Sequence, residues 1–316
     1  MAKRASIVLI GLCALVLGSG VAFMTLGLRG NLAFVLELRG IRLCALIVVG
    51  VAIGVSTVLF QTVTRNRILT PSIMGLDALF VLGQTTLVFV LGGLGFSSLD
   101  PRLTFAGEIG LLMVLALALF LPMLRAQMDM GMLLLVGVVL GVLFRSLTSL
   151  IARLIDPNDF AVAQQASFAS FNDLEPNLLA LSAVLTMLGA IVAWRMRHEL
   201  DVISLGADAA IGLGIAWRSA VTGILILVAA LVAVSTALVG PVAFLGLIAV
   251  ALGERMIDTR RHGVLLPTVA LVAVAILVCG QILFQHMLGS ASALGVVVEF
   301  VGGIVFLALL LAGVRR

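Results

Sequence analysis

Ionisable side chains are scarce in this 316-residue chain: Asp, Glu, Lys and Arg make up 11% of it, so each position carries information. Arg145, Ser149 and Arg153 follow one another at intervals of four, which places two guanidinium groups and a hydroxyl on one stripe of a helix. An ionisable group at bilayer depth costs several kcal/mol unless it pairs or faces water. Arg145 therefore needs either an acidic partner, for which Glu108 is a candidate, or an aqueous path. Arg39 and Arg42, in ELRGIR, are three apart and share one side of a helical turn. Structural pairing is the expected role of Asp77 and Glu299. His198, His262 and His286 are far apart and lack ligand spacing, so neither a metal site nor a catalytic centre is expected. Cys13, Cys44 and Cys279 sit in separate apolar stretches and read as small apolar packers. Lys3 is the single lysine, outside any GxxxxGK[ST] context, so this chain carries no phosphate-binding P-loop.

The elements that must position these groups are apolar runs. About 20 apolar residues are needed to cross a hydrocarbon core about 30 Å thick. The stretches 5–28, 41–63, 73–95, 104–124, 130–152, 177–194, 217–238, 264–285 and 294–313 qualify. A shorter tenth, 242–253, holds a GPVAFLGL core and is kept as a span. With 62% hydrophobic residues and a mean hydropathy of +1.30, no soluble domain could cover this much apolar surface. The expectation is an all-α integral membrane protein of about ten transmembrane helices, residues 1–316 forming a single domain. The N-terminal run continues to Leu28, longer than a signal-peptide core, and reads as an uncleaved first helix.

Alternating ten spans from a cytoplasmic N-terminus puts thirteen Lys and Arg residues on the cytoplasmic side and five on the other, with Arg145 inside a span. The positive-inside rule favours this arrangement, with both termini cytoplasmic. The pI near 9.7 then reflects orientation, and no basic run with interleaved aromatics suggests nucleic acid.

Three stretches stand out. In 61–75 a basic turn joins two spans, with Asn66 suited to a cap or turn and Pro71 to a first helical turn. In 195–218 a long mixed segment carries Leu205, Ala209, Ala210 and Leu213, which fit a short helix lying on the cytoplasmic surface. In 240–267 a Gly240-Pro241 turn opens a short span that runs into a basic island and a Leu265-Leu266-Pro267 start. Interrupted segments of this kind border cavities in transporters.

In order and spacing, the three stretches resemble the FecCD family of ABC-importer permeases for iron–siderophore complexes, haem and cobalamin. Arg65 to Gly75 is similar to RNPLAxPxxLG, Ser204 to Gly214 to SLGxxAxxLG, and Gly240 to Ile248 with His262 and Pro267 to GPIGFVGLIVPHIAR followed by HRxLLP. Asn66, Pro71, Gly75, Gly240, Pro241, Gly246 and Pro267 match structural motif positions. The chain departs from the pattern at Arg67-Ile68-Leu69, Val250-Ala251, Glu254 and Gly263. The form ILTPSIMG looks like the branch handling ferric catecholate-type siderophores.

The resemblance implies a type II ABC importer permease fold in a bacterial cytoplasmic (inner) membrane, multi-pass and without a cofactor. It implies a second permease subunit, identical or related, two ATPase subunits, and a periplasmic or lipoprotein siderophore-binding protein. It makes the segment about 199–217 the coupling segment, with Ser204, Leu205, Gly206, Ala209, Ala210, Gly212 and Gly214 meeting the ATPases. It makes Arg39 and Arg42 the docking pair for the binding protein, and Arg145, Ser149 and Arg153 part of a translocation path for an anionic chelate. The rival reading is an ion-coupled secondary transporter with Glu108 or Glu299 as its ion site.

Overall fold

The computed structural model describes residues 2–28, 31–126, 130–172, 174–287, 295 and 302–304. The expected span 294–313, with Glu299, lies largely outside the described residues, as does Arg29. In chain order the helices are α1 (Ala2–Thr25), α2 (Leu32–Thr64), α3 (Leu76–Ser97), α4 (Pro101–Ala126), α5 (Met130–Ala152) and α6 (Pro157–Ala166). After these come α7 (Pro176–Arg195), α8 (Arg197–Ile203), α9 (Ala207–Gly212), α10 (Trp217–Val239), α11 (Leu245–Met256) and α12 (His262–Met287), and a 3-10 turn, Pro71–Met74, precedes α3. Eight of the described helices are long and apolar enough to cross a membrane.

The central helix α2 packs on α7, α10, α11 and α12. It begins at Leu32, nine residues before the expected span, because the Asn31 side chain accepts the Ala33 N–H at 3.1 Å and no breaker follows. At 33 residues it is about 50 Å long, well beyond the hydrocarbon core. Its close approach to α12 depends on Gly50 and Gly54. A Cβ on Gly50 would fall 2.9 Å from the Val274 Cα, and one on Gly54 3.2 Å from the Ala270 Cα. Small residues four apart let two backbones meet where lipid supplies no hydrophobic drive for association.

The short span at 242–253 is revised. Helix α11 has 12 residues, about 18 Å, too short to cross alone. The chain reaches it through a buried irregular segment: Gly240 has φ 95°, its α-carbon face lies against Ala169, and Ser170 N–H donates to Val239 O at 2.7 Å. Irregular backbone at membrane depth is tolerated where protein surrounds it. Gly246, in the first turn of α11, faces the Thr57 side chain of α2 with no room for a Cβ. The polar loop at 155–177 contains α6, capped by Asp156 accepting from Asn158 N–H at 2.9 Å, with Pro157 in its first turn.

Candidate coupling and translocation site

One end of the bundle gathers the three motif stretches. Arg65 ends α2 in the left-handed region, φ 49° and ψ 27°. Asn66 then accepts the Ile68 N–H at 3.0 Å, and Gln61 Nε2 donates back to Arg67 O at 2.8 Å, which closes the turn. Pro71 opens the 3-10 turn, and Gly75 ends it at φ 90°. A Cβ at Gly75 would lie 3.1 Å from Gly141 N and 3.3 Å from Gly137 O, so this turn seats directly on the backbone of α5.

The same turn holds the coupling segment. Gly206, between α8 and α9, has φ 109°, and a side chain there would collide with the Arg65 guanidinium. Arg67 pairs with Glu254 of α11 at 3.4 Å. Asp201 of α8 accepts from both the backbone N–H and ring Nδ1 of His262 at 2.7 Å each, and so caps α12. The other ring nitrogen lies 2.8 Å from the Thr62 hydroxyl, which itself donates to Val58 O. Side chains from α2, α11 and α12, with Ser204 and Leu205 just after α8, line a cavity of about 420 Å3. Arg4 joins this end through Asp258 at 2.6 Å, bringing the start of α1 beside the loop before α12.

Within the coupling segment the structure separates two groups. Ser204, Leu205, Ala209, Gly212 and Gly214 are exposed. Gly206 and Ala210 are buried, Ala210 completely, and seat the segment on the bundle. Ile211, which the motif reading passed over, is exposed beside Leu205 and Leu213. Its signal was available, since an isoleucine in a short surface helix with small neighbours has no core to enter.

The two arginines of the expected docking pair stand in different environments. Arg39 lies inside α2, is 6% exposed, and donates to the carbonyls of Phe23 (2.8 Å), Met24 (3.3 Å), Leu26 (2.7 Å) and Gly27 (3.4 Å). Its guanidinium closes the C-terminus of α1, whose last carbonyls have no partners within the helix. Arg42, one turn on, is half-buried. Arg145, Ser149 and Arg153 are all exposed along α5. Glu108 does not pair with Arg145: it accepts from Gln84 Nε2 of α3 at 2.5 Å. The three cysteines are exposed, not packed inside, and so face lipid or another chain.

With this geometry in hand, the chain belongs to the FecCD transport family, whose model matches residues 6–312. It is 39% identical over 298 residues to the petrobactin import system permease protein YclO of Bacillus subtilis (strain 168), covering 92% of this chain and 95% of that one. It is 30% identical over 274 residues to the ferric enterobactin transport system permease protein FepD of Escherichia coli (strain K12), covering 85% of this chain and 79% of that one. A solved structure described as a metal-chelate type ABC transporter in an inward-facing conformation shares the fold, with a TM-score of 0.84 at 21% identity over 97% of this chain and 99% of that one.

Proposed function

We propose that this chain is the membrane-spanning permease subunit of an ABC importer that moves a ferric siderophore of the catecholate type across a bacterial cytoplasmic membrane. The observation that carries this reading is the build of the coupling end. Leu205, Ile211 and Leu213 stand exposed on and beside α9, whose start at Gly206 bears on Arg65 of α2, while α8 before it is tied to α12 by Asp201 and His262 and α12 to α2 by His262 and Thr62. An apolar knob on a braced mount is suited to receive force from another chain. ATP hydrolysis falls to separate ATPase subunits, since the single lysine leaves no P-loop here. A second permease chain and a siderophore-binding protein complete the assembly, and residues 1–316 act as one permease domain with both termini cytoplasmic.

The path of the motion follows from contacts. Displacing α9 loads Gly206 against Arg65, and Arg65 stands at the head of the turn that ends in Gly75. Gly75 bears on Gly141 of α5, one turn before Arg145. The stripe of Arg145, Ser149 and Arg153 would line the route of the anionic cargo, and its exposure to an ATPase-driven shift of α5 links hydrolysis to access. A shift of this kind requires differential contacts in the two states, which the ATPase surface supplies when it closes on ATP. The two relatives are named for the import of petrobactin and of ferric enterobactin, which supports a ferric siderophore as the cargo, and the ILTPSIMG form supports the catecholate class. The test is uptake of a labelled ferric catecholate against a ferric hydroxamate by cells expressing the chain with its neighbouring partners. Catecholate uptake that survives an uncoupler and stops on ATP depletion is the expected outcome. Uptake abolished by the uncoupler with ATP intact would instead establish an ion-coupled carrier.

A further inference from the structure

On the flank of the bundle, α2, α7 and α12 do not close against one another. They leave a groove of about 650 Å3. Its walls are almost wholly aliphatic, with Ile47, Val51 and Val55 from α2, Ile191 from α7 and Leu266 from α12. Small residues on the facing walls, Ala183 and Ala190 on α7 and Ala270 on α12, account for the open space. Along α7 the lining runs from Ala183 to Arg195, twelve residues or about 18 Å. That is close to the depth of one leaflet, half of a hydrocarbon core about 30 Å thick.

The two ends of the groove differ. Its walls are apolar to the inner end, and Trp194 and Arg195 stand at the mouth. Trp194 is 49% exposed, and the Arg197 guanidinium stacks on its ring at 4.1 Å while donating to Trp194 O at 3.1 Å. Arg197 can lie there because residue 263 is glycine: a Cβ at that position would approach Arg197 Cδ to 3.2 Å. Neither Arg195 nor Arg197 is ion-paired among the described residues. Two unpaired cations and an indole at the mouth of an apolar, leaflet-deep channel match a molecule with one anionic end and one hydrocarbon end. A free anion would leave the channel empty, and an apolar protein segment would leave the cations unmatched.

We infer that this groove is a binding site for an anionic phospholipid, with an acyl chain between α2, α7 and α12 and the phosphate at Arg195 and Arg197. Basic pockets between transmembrane helices on the cytoplasmic side are suited to such headgroups, and a tryptophan at headgroup level fixes the depth. Arg197 also opens α8, so the lipid phosphate anchors the root of the coupling segment to the membrane surface.

The experiment is native mass spectrometry of the full-length chain, purified in detergent as the complex it forms, titrated separately with phosphatidylglycerol and phosphatidylcholine. Phosphatidylglycerol should be retained in preference. The double variant Arg195→Gln/Arg197→Gln should weaken it roughly 30-fold, from about 1 kcal/mol for each surface arginine, and leave phosphatidylcholine unchanged. Ala190→Phe, which fills the channel, should weaken both lipids. Unchanged phosphatidylglycerol retention in the arginine variant, in which one changed position is exposed and the other half-buried, would overturn the site. So would displacement of the lipid by millimolar inorganic phosphate alone, which would mark a free-anion site.

Discussion

Residue by residue, the cations of this protein divide into those that hold it together and those left to meet other molecules. Arg39 belongs to the first group. Its guanidinium donates to four carbonyls at the end of α1 while almost fully buried, and hydrogen bonds to a charged group contribute about 1.5–3 kcal/mol each before the desolvation cost is subtracted. Arg39→Gln should therefore lower the stability of the purified protein by about 2–4 kcal/mol, since carbonyls lose their donors and the buried fit is broken. Arg42→Glu, at the half-buried position one turn on, should lower the melting temperature less than Arg39→Gln does and should reduce uptake, because charge reversal repels a partner that meets this arginine. Thermal melts of both variants alongside uptake separate the two roles. Equal stability of Arg39→Gln and the unmodified chain would return Arg39 to a docking role. The sequence showed the spacing of these two arginines but not that α2 starts at Leu32, and three residues of separation cannot tell a capped helix end from an outward loop.

Among the elements, α9 holds most of the coupling argument. Its six residues cannot form a stable helix alone, since helix nucleation is costly and short helices depend on tertiary packing. Its shape comes from the completely buried Ala210, from Gly206 against Arg65, and from the Asp201–His262 pair behind α8. Leu205, Ile211 and Leu213 are more than half exposed and hold little of that seat. Leu205→Asp with Ile211→Asp should therefore leave membrane insertion and melting temperature intact while abolishing co-purification with the ATPase subunits. Gly206→Val should instead destabilise the chain, because φ near 109° is strained for any side chain and the Arg65 guanidinium fills the space. Retention of the ATPases by the double aspartate variant would place the contact elsewhere. The motif positions were legible because glycine and proline punctuate the chain wherever backbone geometry is unusual. Which of those positions face inward was not legible, because a six-residue helix between two glycines has too little periodicity to show a buried face.

At the scale of the whole molecule, the long apolar spans and their order were readable from composition, because a bilayer demands length and apolarity and little else. The half-length α11 was harder to read. Its 12 residues and the buried entry at Gly240 depend on Ala169 and Thr57, contacts more than 70 residues away that no local pattern encodes. Orientation rests on charge. The structure brings Arg4, Arg65, Arg67, Arg197 and Arg260 to the end that carries α8 and α9, while Arg102, ion-paired with Glu175 at 3.7 Å, lies at the other end. A clustering of cations at one end predicts that this end is cytoplasmic. In a background with Cys13, Cys44 and Cys279 replaced, Ala216→Cys, exposed between α9 and α10, should react with a membrane-impermeant maleimide only after the cells are opened. Ser98→Cys, exposed at the end of α3, should react in intact spheroplasts. Both substitutions are small, and neither site carries a packed side chain, so loss of the protein should not confuse the result. Labelling of Ala216→Cys from outside, with Ser98→Cys protected, would invert the molecule in the membrane. It would also place α9 where no cytoplasmic ATPase could reach it.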